Sequence, residues 1–197
     1  MPDSPQQLYL RAACCLAYSA LLYCGEFTTH EGTHWGFGTE TGLTAGSIRL
    51  LPDATNLTHA TIFLPGSKTD PFCKETTIMV AAAPPGSATC PVVALKALFE
   101  AEPRPETAVL FEECPGMPLS HGFFLKSIRA ALLYAGYNPL EFAGHSFQHS
   151  IASSAAVASY SDYEIQLLGW WRSNAFKLYL EPSAFDPPGL HGLPIMA

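Results

Sequence analysis

The sequence predicts an α+β domain, mainly helical, with one small antiparallel sheet near its front. Three observations carry that expectation. Three short runs rich in β-branched residues, Ser47 to Leu51, Ala60 to Leu64 and Thr76 to Ala81, are separated by turn-formers such as Pro52-Asp53 and Pro65-Gly66. Apolar stretches of helical length flank them, and from Ser120 onward the signals are helical. The chain has 197 residues, 48% hydrophobic and 14% charged, which is enough to bury a core and excludes disorder and coiled coil.

In order, Leu8 to Leu22 reads as a buried helix stopped by Gly25, and Phe27 to Ser47 as a long Gly- and Thr-rich loop. The three strands follow. Pro84-Pro85-Gly86 breaks the chain, and Pro91 stands in the first turn of an apolar helix running to about Ala101. A short strand is expected at Ala108 to Phe111. Ser120 caps a helix to about Ala135, with Phe123, Phe124, Ile128, Leu132 and Leu133 on one face and Gly136 at its end. Ser146 to Ala158 forms an alanine and serine helix, Asp162 caps a short helix to Leu168 ended by Gly169, and Ser173 caps a last helix carrying Phe176 and Tyr179. The tail from Pro182 holds four prolines and two glycines in sixteen residues and reads as an extended arm, so the domain is placed at 1–181 and the tail at 182–197.

The longest apolar stretch, Ala12 to Tyr23, is shorter than the roughly 20 residues a bilayer span needs. Asp3, Gln6 and Gln7 ahead of it argue against a signal peptide, and none of the six cysteines sits in a CxxC pair, so reduced thiols in an intracellular protein are expected. The sequon at Asn56-Leu57-Thr58 then carries no glycan. Ten Lys and Arg against 17 Asp and Glu give a net charge of −7 with no basic tail, a composition that by itself argues against nucleic acid. No GxSxG, GxxxxGK[ST] or GxGxxG is present. His145 and His149 stand four apart, but the Glu of HExxH is missing and no third ligand is evident, so no metal is expected. Cys24, His30 and His34 read as core or loop residues.

The informative segment is Ala143-Gly144-His145-Ser146-Phe147-Gln148-His149, then Tyr160-Ser161-Asp162-Tyr163-Glu164-Ile165-Gln166-Leu167-Leu168-Gly169-Trp170-Trp171-Arg172-Ser173, and then Tyr179. Trp170 and Tyr179, nine apart, can converge on a pocket that His145 also reaches. A phenol among hydrogen-bond donors can attack a phosphodiester and conserve its bond energy as a phosphotyrosine. On spacing alone, Tyr179, Trp170 and Trp171 read more readily as core aromatics.

The run GHSF…SDYEIQLLGWWRSNAFKLYLE resembles the catalytic signature of the tyrosine recombinases, or phage-type integrases, of eukaryotic mobile elements. LPGSKTDPF, Leu64 to Phe72, is similar to that family's hairpin with its catalytic lysine, and Cys90 to Leu95 to the helix start that follows. Tyr23-Cys24-Gly25-Glu26-Phe27-Thr28 resembles the first catalytic box, an Arg followed three residues later by Glu. The resemblance runs from about residue 8 to 181 and matches no N-terminal DNA-clamping domain. It implies a DNA breaking-rejoining core with no metal or nucleotide cofactor. Tyr179 would be the nucleophile, Lys68 the general acid for the leaving 5′ oxygen, His145 the acid/base partner, and Trp170 a phosphate donor.

The chain departs from that pattern at both arginines, where it carries Tyr23 and Gln148. Arginine offers a planar fork and a fixed charge to two phosphate oxygens; Gln and Tyr offer single neutral bonds. The resemblance therefore implies a degenerate member with weak or lost strand cleavage. The implied partner is double-stranded DNA, with self-association on it, and neither a membrane nor a small-molecule substrate. Lys68, Lys74, Lys126, Arg129, Arg172 and Lys177 are the candidate DNA contacts, read alternatively as a scattered solvated surface. A nuclear location is expected if the source is eukaryotic.

Overall fold

The computed structural model of the chain describes residues 4–29, 42–53, 56–64, 76–144, 146–168 and 177. It divides into two compact units, residues 1–147 and 148–197, and the boundary falls inside a helix.

The first unit opens with helix α1, Pro5–Ser19. Ser4 caps it, with Gln7 returning the bond to the Ser4 amide. Tyr9, Ala12, Ala13, Leu16 and Ala17 form its buried stripe. The helix stops six residues before the expected Gly25. Leu21 takes a left-handed conformation (φ 52°) and the Leu22 amide reaches back to the Ala17 carbonyl at 3.1 Å, a Schellman ending made without glycine. A single turn of helix, α2, Cys24–Phe27, follows.

The sheet is a meander of β1 (Ile48–Asp53), β2 (Asn56–Leu64) and β3 (Thr76–Ala81), antiparallel with β2 in the middle. Ile48 faces Ile62, Ile62 faces Ile78, and Ala60 faces Val80; these side chains are buried on one face. Pro52 and Asp53, expected in a turn, continue β1 opposite Leu57 and Asn56 after a register shift at Leu51/Pro52. A proline is tolerated there because β1 is an edge strand, where a missing amide breaks no central ladder.

Helix α3, Pro91–Ala101, begins and ends where the sequence places it, and α1 packs on it. The run 108–111 is not a strand: Val109 makes one isolated bridge to Thr44, and Val109, Leu110 and Phe111 are all buried rather than alternating. Pairing starts instead at β4, Glu112–Cys114, with β5, Met117–Pro118. Helix α4, His121–Tyr134, is capped by Ser120, whose Oγ accepts the Phe123 amide at 3.2 Å. Of the five apolar residues expected on one face, Phe124 alone is buried and Leu133 is 64% exposed. Gly136 (φ 87°) closes this helix, with the Tyr137 amide bonded to the Leu132 carbonyl at 2.9 Å.

Arg104 joins four parts of this unit. Its guanidinium lies 4.9 Å over the Tyr9 ring, donates to the carbonyls of Val109 at 2.9 Å and Glu102 at 3.4 Å, and pairs with Glu112 at 3.4 Å. The two side chains of that pair are 9% and 14% exposed.

Helix α5, Ser146–Val157, crosses the unit boundary, and α6, Asp162–Leu168, lies in the second unit. Ser159 (φ 64°) ends α5 with the Tyr160 amide on the Ala155 carbonyl at 3.0 Å. The cap of α6 is Ser161 rather than Asp162: the Glu164 amide donates to Ser161 Oγ at 3.3 Å, and the Glu164 carboxylate accepts the Ser161 amide at 2.8 Å. Bonding from Ser161 holds the Glu164 carboxyl below its usual range. The predicted helix from Ser173 and the tail from Pro182 lie outside the described residues.

Cys14, Cys15, Cys24, Cys90 and Cys114 are free thiols. Burial pushes Cys14 up to about 12 and Cys24 up to about 11, and raises Cys15. Among the described residues no helix is long and apolar enough to cross a membrane.

Three outcomes are expected. Ser159→Gly removes a left-handed penalty of about 1 kcal/mol at an exposed site and raises the thermal midpoint; an unchanged or lower midpoint would count against that strain. Arg104→Ala strands Glu112 and costs about 3 kcal/mol or more in chemical denaturation, and Arg104→Lys recovers little because a point charge cannot serve the same acceptors. Unfolded thiols ionise near 9 while folded Cys24 and Cys14 hold their protons to about 11 and about 12, so stability is complete below pH 9 and falls as pH rises through that window. A denaturation series from pH 8 to 11 in Cys14→Ala, Cys24→Ala protein should lose most of that slope.

Candidate active site

The first box is built on α2. Tyr23 precedes the helix in extended conformation, and its amide donates to Glu26 Oε2 at 2.8 Å, so the box glutamate is a helix-capping group. Glu26 therefore keeps a structural task whatever stands at position 23. Tyr23 is half-buried, while Cys24 and Phe27 are buried. The exit of α2 is stitched to the entry of α4: the Thr29 amide donates to the Leu119 carbonyl at 2.9 Å and the His121 amide to the Thr29 carbonyl at 2.8 Å.

The turn Ala143–Gly144 leads into α5. The Ala143 amide donates to Ser146 Oγ at 2.9 Å and the Ser146 amide to the Ala143 carbonyl at 3.0 Å. Cys24 Sγ donates to the Gly144 carbonyl at 3.3 Å, tying the first box to the residue before His145. A Cβ on Gly144 would stand 3.2 Å from His121 Nε2 and 3.4 Å from Cys24 Sγ, so it would touch the thiol and ask the end of the His121 side chain to give by a few tenths of an ångström.

Aromatic rings hold the same two segments. Phe27 meets Phe124 edge to face at 5.1 Å and Phe111 at 6.2 Å, and Phe147 stacks on Phe124 at 6.1 Å. The structure thus brings Tyr23, Cys24 and Glu26 together with the residues on either side of His145. Sequence reading placed Cys24 in the first box and Gly144 beside His145 but gave neither of them, nor His121, a role of its own. The one available signal was the glycine directly before the histidine.

Lys68, Lys74, His145, Trp170, Arg172 and Tyr179 lie outside the described residues, as does the side chain of Gln148, whose backbone lies in the first turns of α5. His149 Nδ1 lies 3.5 Å from Ser153 Oγ one helical turn on. Among the described residues no three His, Cys, Asp or Glu side chains are placed to hold a metal. Lys126 and Arg129 are exposed neighbours on α4, and Arg129 donates to the Phe142 carbonyl through Nε at 3.4 Å and Nη2 at 3.3 Å. In the second unit, exposed Lys177 pairs with Asp162 at 2.8 Å.

No protein-family model and no curated protein matches the chain. Solved structures do match. A post-cleavage complex of the XerH site-specific recombinase with a palindromic difH substrate aligns with TM-score 0.62 and 16% identity, over 91% of this chain and 44% of the solved one. A pre-cleavage complex of XerH with difH aligns with TM-score 0.58 and 15% identity, over 95% and 46%. The chain spans less than half the length of the recombinase chains it matches. With its helices, its small antiparallel sheet and this alignment over nearly its whole length, the chain has the fold of a tyrosine recombinase catalytic domain.

Proposed function

We propose that the chain is a DNA-binding domain of the tyrosine recombinase type, derived from a mobile element, in which strand cleavage is impaired or lost. The observation that carries this reading is a fold shared over 91% of the chain with a site-specific recombinase held on its DNA substrate. The full reaction would place Tyr179 Oη on the scissile phosphorus while His145 takes the phenol proton. The bond to the 5′ oxygen breaks as Lys68 protonates that oxygen, leaving a 3′-phosphotyrosine; Trp170 donates to a phosphate oxygen. Rejoining reverses these transfers.

Impairment follows from Tyr23 and Gln148, where the family's pattern has arginines. Loss of one preorganised donor to a transition-state oxyanion costs about 3 kcal/mol, roughly 100- to 1,000-fold in rate. Two lost charges cost more unless their effects overlap. If the source is eukaryotic, the site of action is the nucleus. A non-catalytic protein-interaction role is the second reading, favoured by the net charge of −7 and by the carboxylates that neutralise Lys96 and Lys177.

Incubation with a nicked suicide duplex tests the first reading. The unmodified chain should trap little or no covalent adduct. Tyr23→Arg with Gln148→Arg should recover an adduct that disappears in Tyr179→Phe, and a robust adduct in the unmodified chain would refute impairment. A low-salt gel shift with the same duplex should show retention that weakens in Lys68→Ala with Lys177→Ala. No retention at any salt would favour the protein-interaction reading.

A further inference from the structure

We infer that the outer edge of β3, over Thr77–Ala81, is a self-association surface that pairs antiparallel with the same strand of a second copy of this chain. The inference goes beyond the recombinase reading and does not depend on it. The two edges of the three-stranded sheet are finished differently. β1 carries the exposed Arg49, a proline at position 52 and a register shift at Leu51/Pro52, devices that keep an edge strand from recruiting another chain. β3, Thr-Thr-Ile-Met-Val-Ala, has no charge, no proline and no glycine, and it keeps a regular register with β2 along its whole length. Among the described residues, the backbone of Thr77–Ala81 makes no hydrogen bond outside that ladder. Alternate amides and carbonyls of the outer edge therefore stand open to a further strand.

The strand is complementary to itself. In an antiparallel pair centred on Met79, Thr77 faces the partner's Ala81, Ile78 faces the partner's Val80, and Met79 faces the partner's Met79. Ile78 and Val80 are buried, so the apolar faces of the two sheets continue into one another, while Thr77, Met79 and Ala81 meet on the exposed face. Met79 is 68% exposed in the single chain and lies at the two-fold axis, where a second methionine covers it. No like charges oppose each other along this register. A strand from another protein would need no such symmetry; the self-matched register is what selects a second copy. One strand pair is a small interface, so the association is weak, and because each copy carries a net charge of −7 it tightens as salt screens their repulsion.

Sedimentation of the full chain from about 10 to about 500 μM should show a reversible monomer–dimer equilibrium that strengthens from low to physiological salt. Met79→Lys and Met79→Glu should each weaken it about tenfold or more by setting like charges opposite each other at the two-fold axis, and an equimolar mixture of the two should restore it. Leu133→Lys, at a similarly exposed apolar position on α4 (64%), should leave it unchanged. Amide exchange should slow with protein concentration within Thr77–Ala81 and not in β1. A chain that stays monomeric throughout, dimers that survive in Met79→Lys, or dimers that are lost in Leu133→Lys would overturn the proposal. None of these measurements uses DNA, so their failure leaves the recombinase reading to its own tests.

Discussion

Phe124 has no exposed surface and receives rings from two directions, the edge of Phe27 from α2 and the face of Phe147 from the start of α5. Segments more than 100 residues apart in sequence are thereby registered on one side chain. Aromatic pairs of this kind contribute about 0.5–1.5 kcal/mol each beyond area burial, and their geometry is directional. The hydrogen bonds of the site, from Cys24 to Gly144 and within the Ala143–Ser146 turn, are individually modest. They hold their places because the rings behind them fix the backbone from which they are made.

Glu26 has a structural task in this fold that does not depend on which side chain stands at position 23. Glu26 accepts the Tyr23 amide and closes the single turn of α2. Removing it would leave that half-buried amide without its acceptor at the point where α1 hands over to α4. A carboxylate with this structural duty persists whether or not an arginine stands beside it.

Much of the fold was legible because local chemistry and tertiary context agreed. Pro91 at a helix start, Ser120 at a cap, and β-branched residues at 76–81 each specify one outcome. The sequence misled where a device was executed by an unusual residue. Leu21 and Ser159 end helices in a conformation that glycine normally supplies, so a search for glycine sets the end of α1 too late. Val109 to Phe111 look like a strand by composition, yet three consecutive buried side chains cannot alternate across a pleat. Within the site, Tyr23 and Gln148 were visible only through resemblance to a pattern. Cys24 and Gly144 stand in the quoted motifs, but the bond between them was not legible, because a thiol-to-carbonyl bond across 120 residues leaves no periodic trace.

Arg104 has a consequence beyond the packing it secures. It is a cation withdrawn from the surface, and Lys96 and Lys177 are neutralised by Glu100 and Asp162. Among the described residues this leaves Arg11, Arg49, Lys126 and Arg129 outside ion pairs, with Arg11 and Arg129 already donating to backbone carbonyls. A duplex bound as proposed would release few condensed counterions at these four residues. Each phosphate contact steepens the fall of affinity with salt by about 0.9 on logarithmic axes. If the domain binds DNA as proposed, its described residues would supply few of the phosphate contacts, and the salt dependence of the complex would rest on Lys126, Arg129 and the cations of the sequence at Lys68, Lys74 and Arg172.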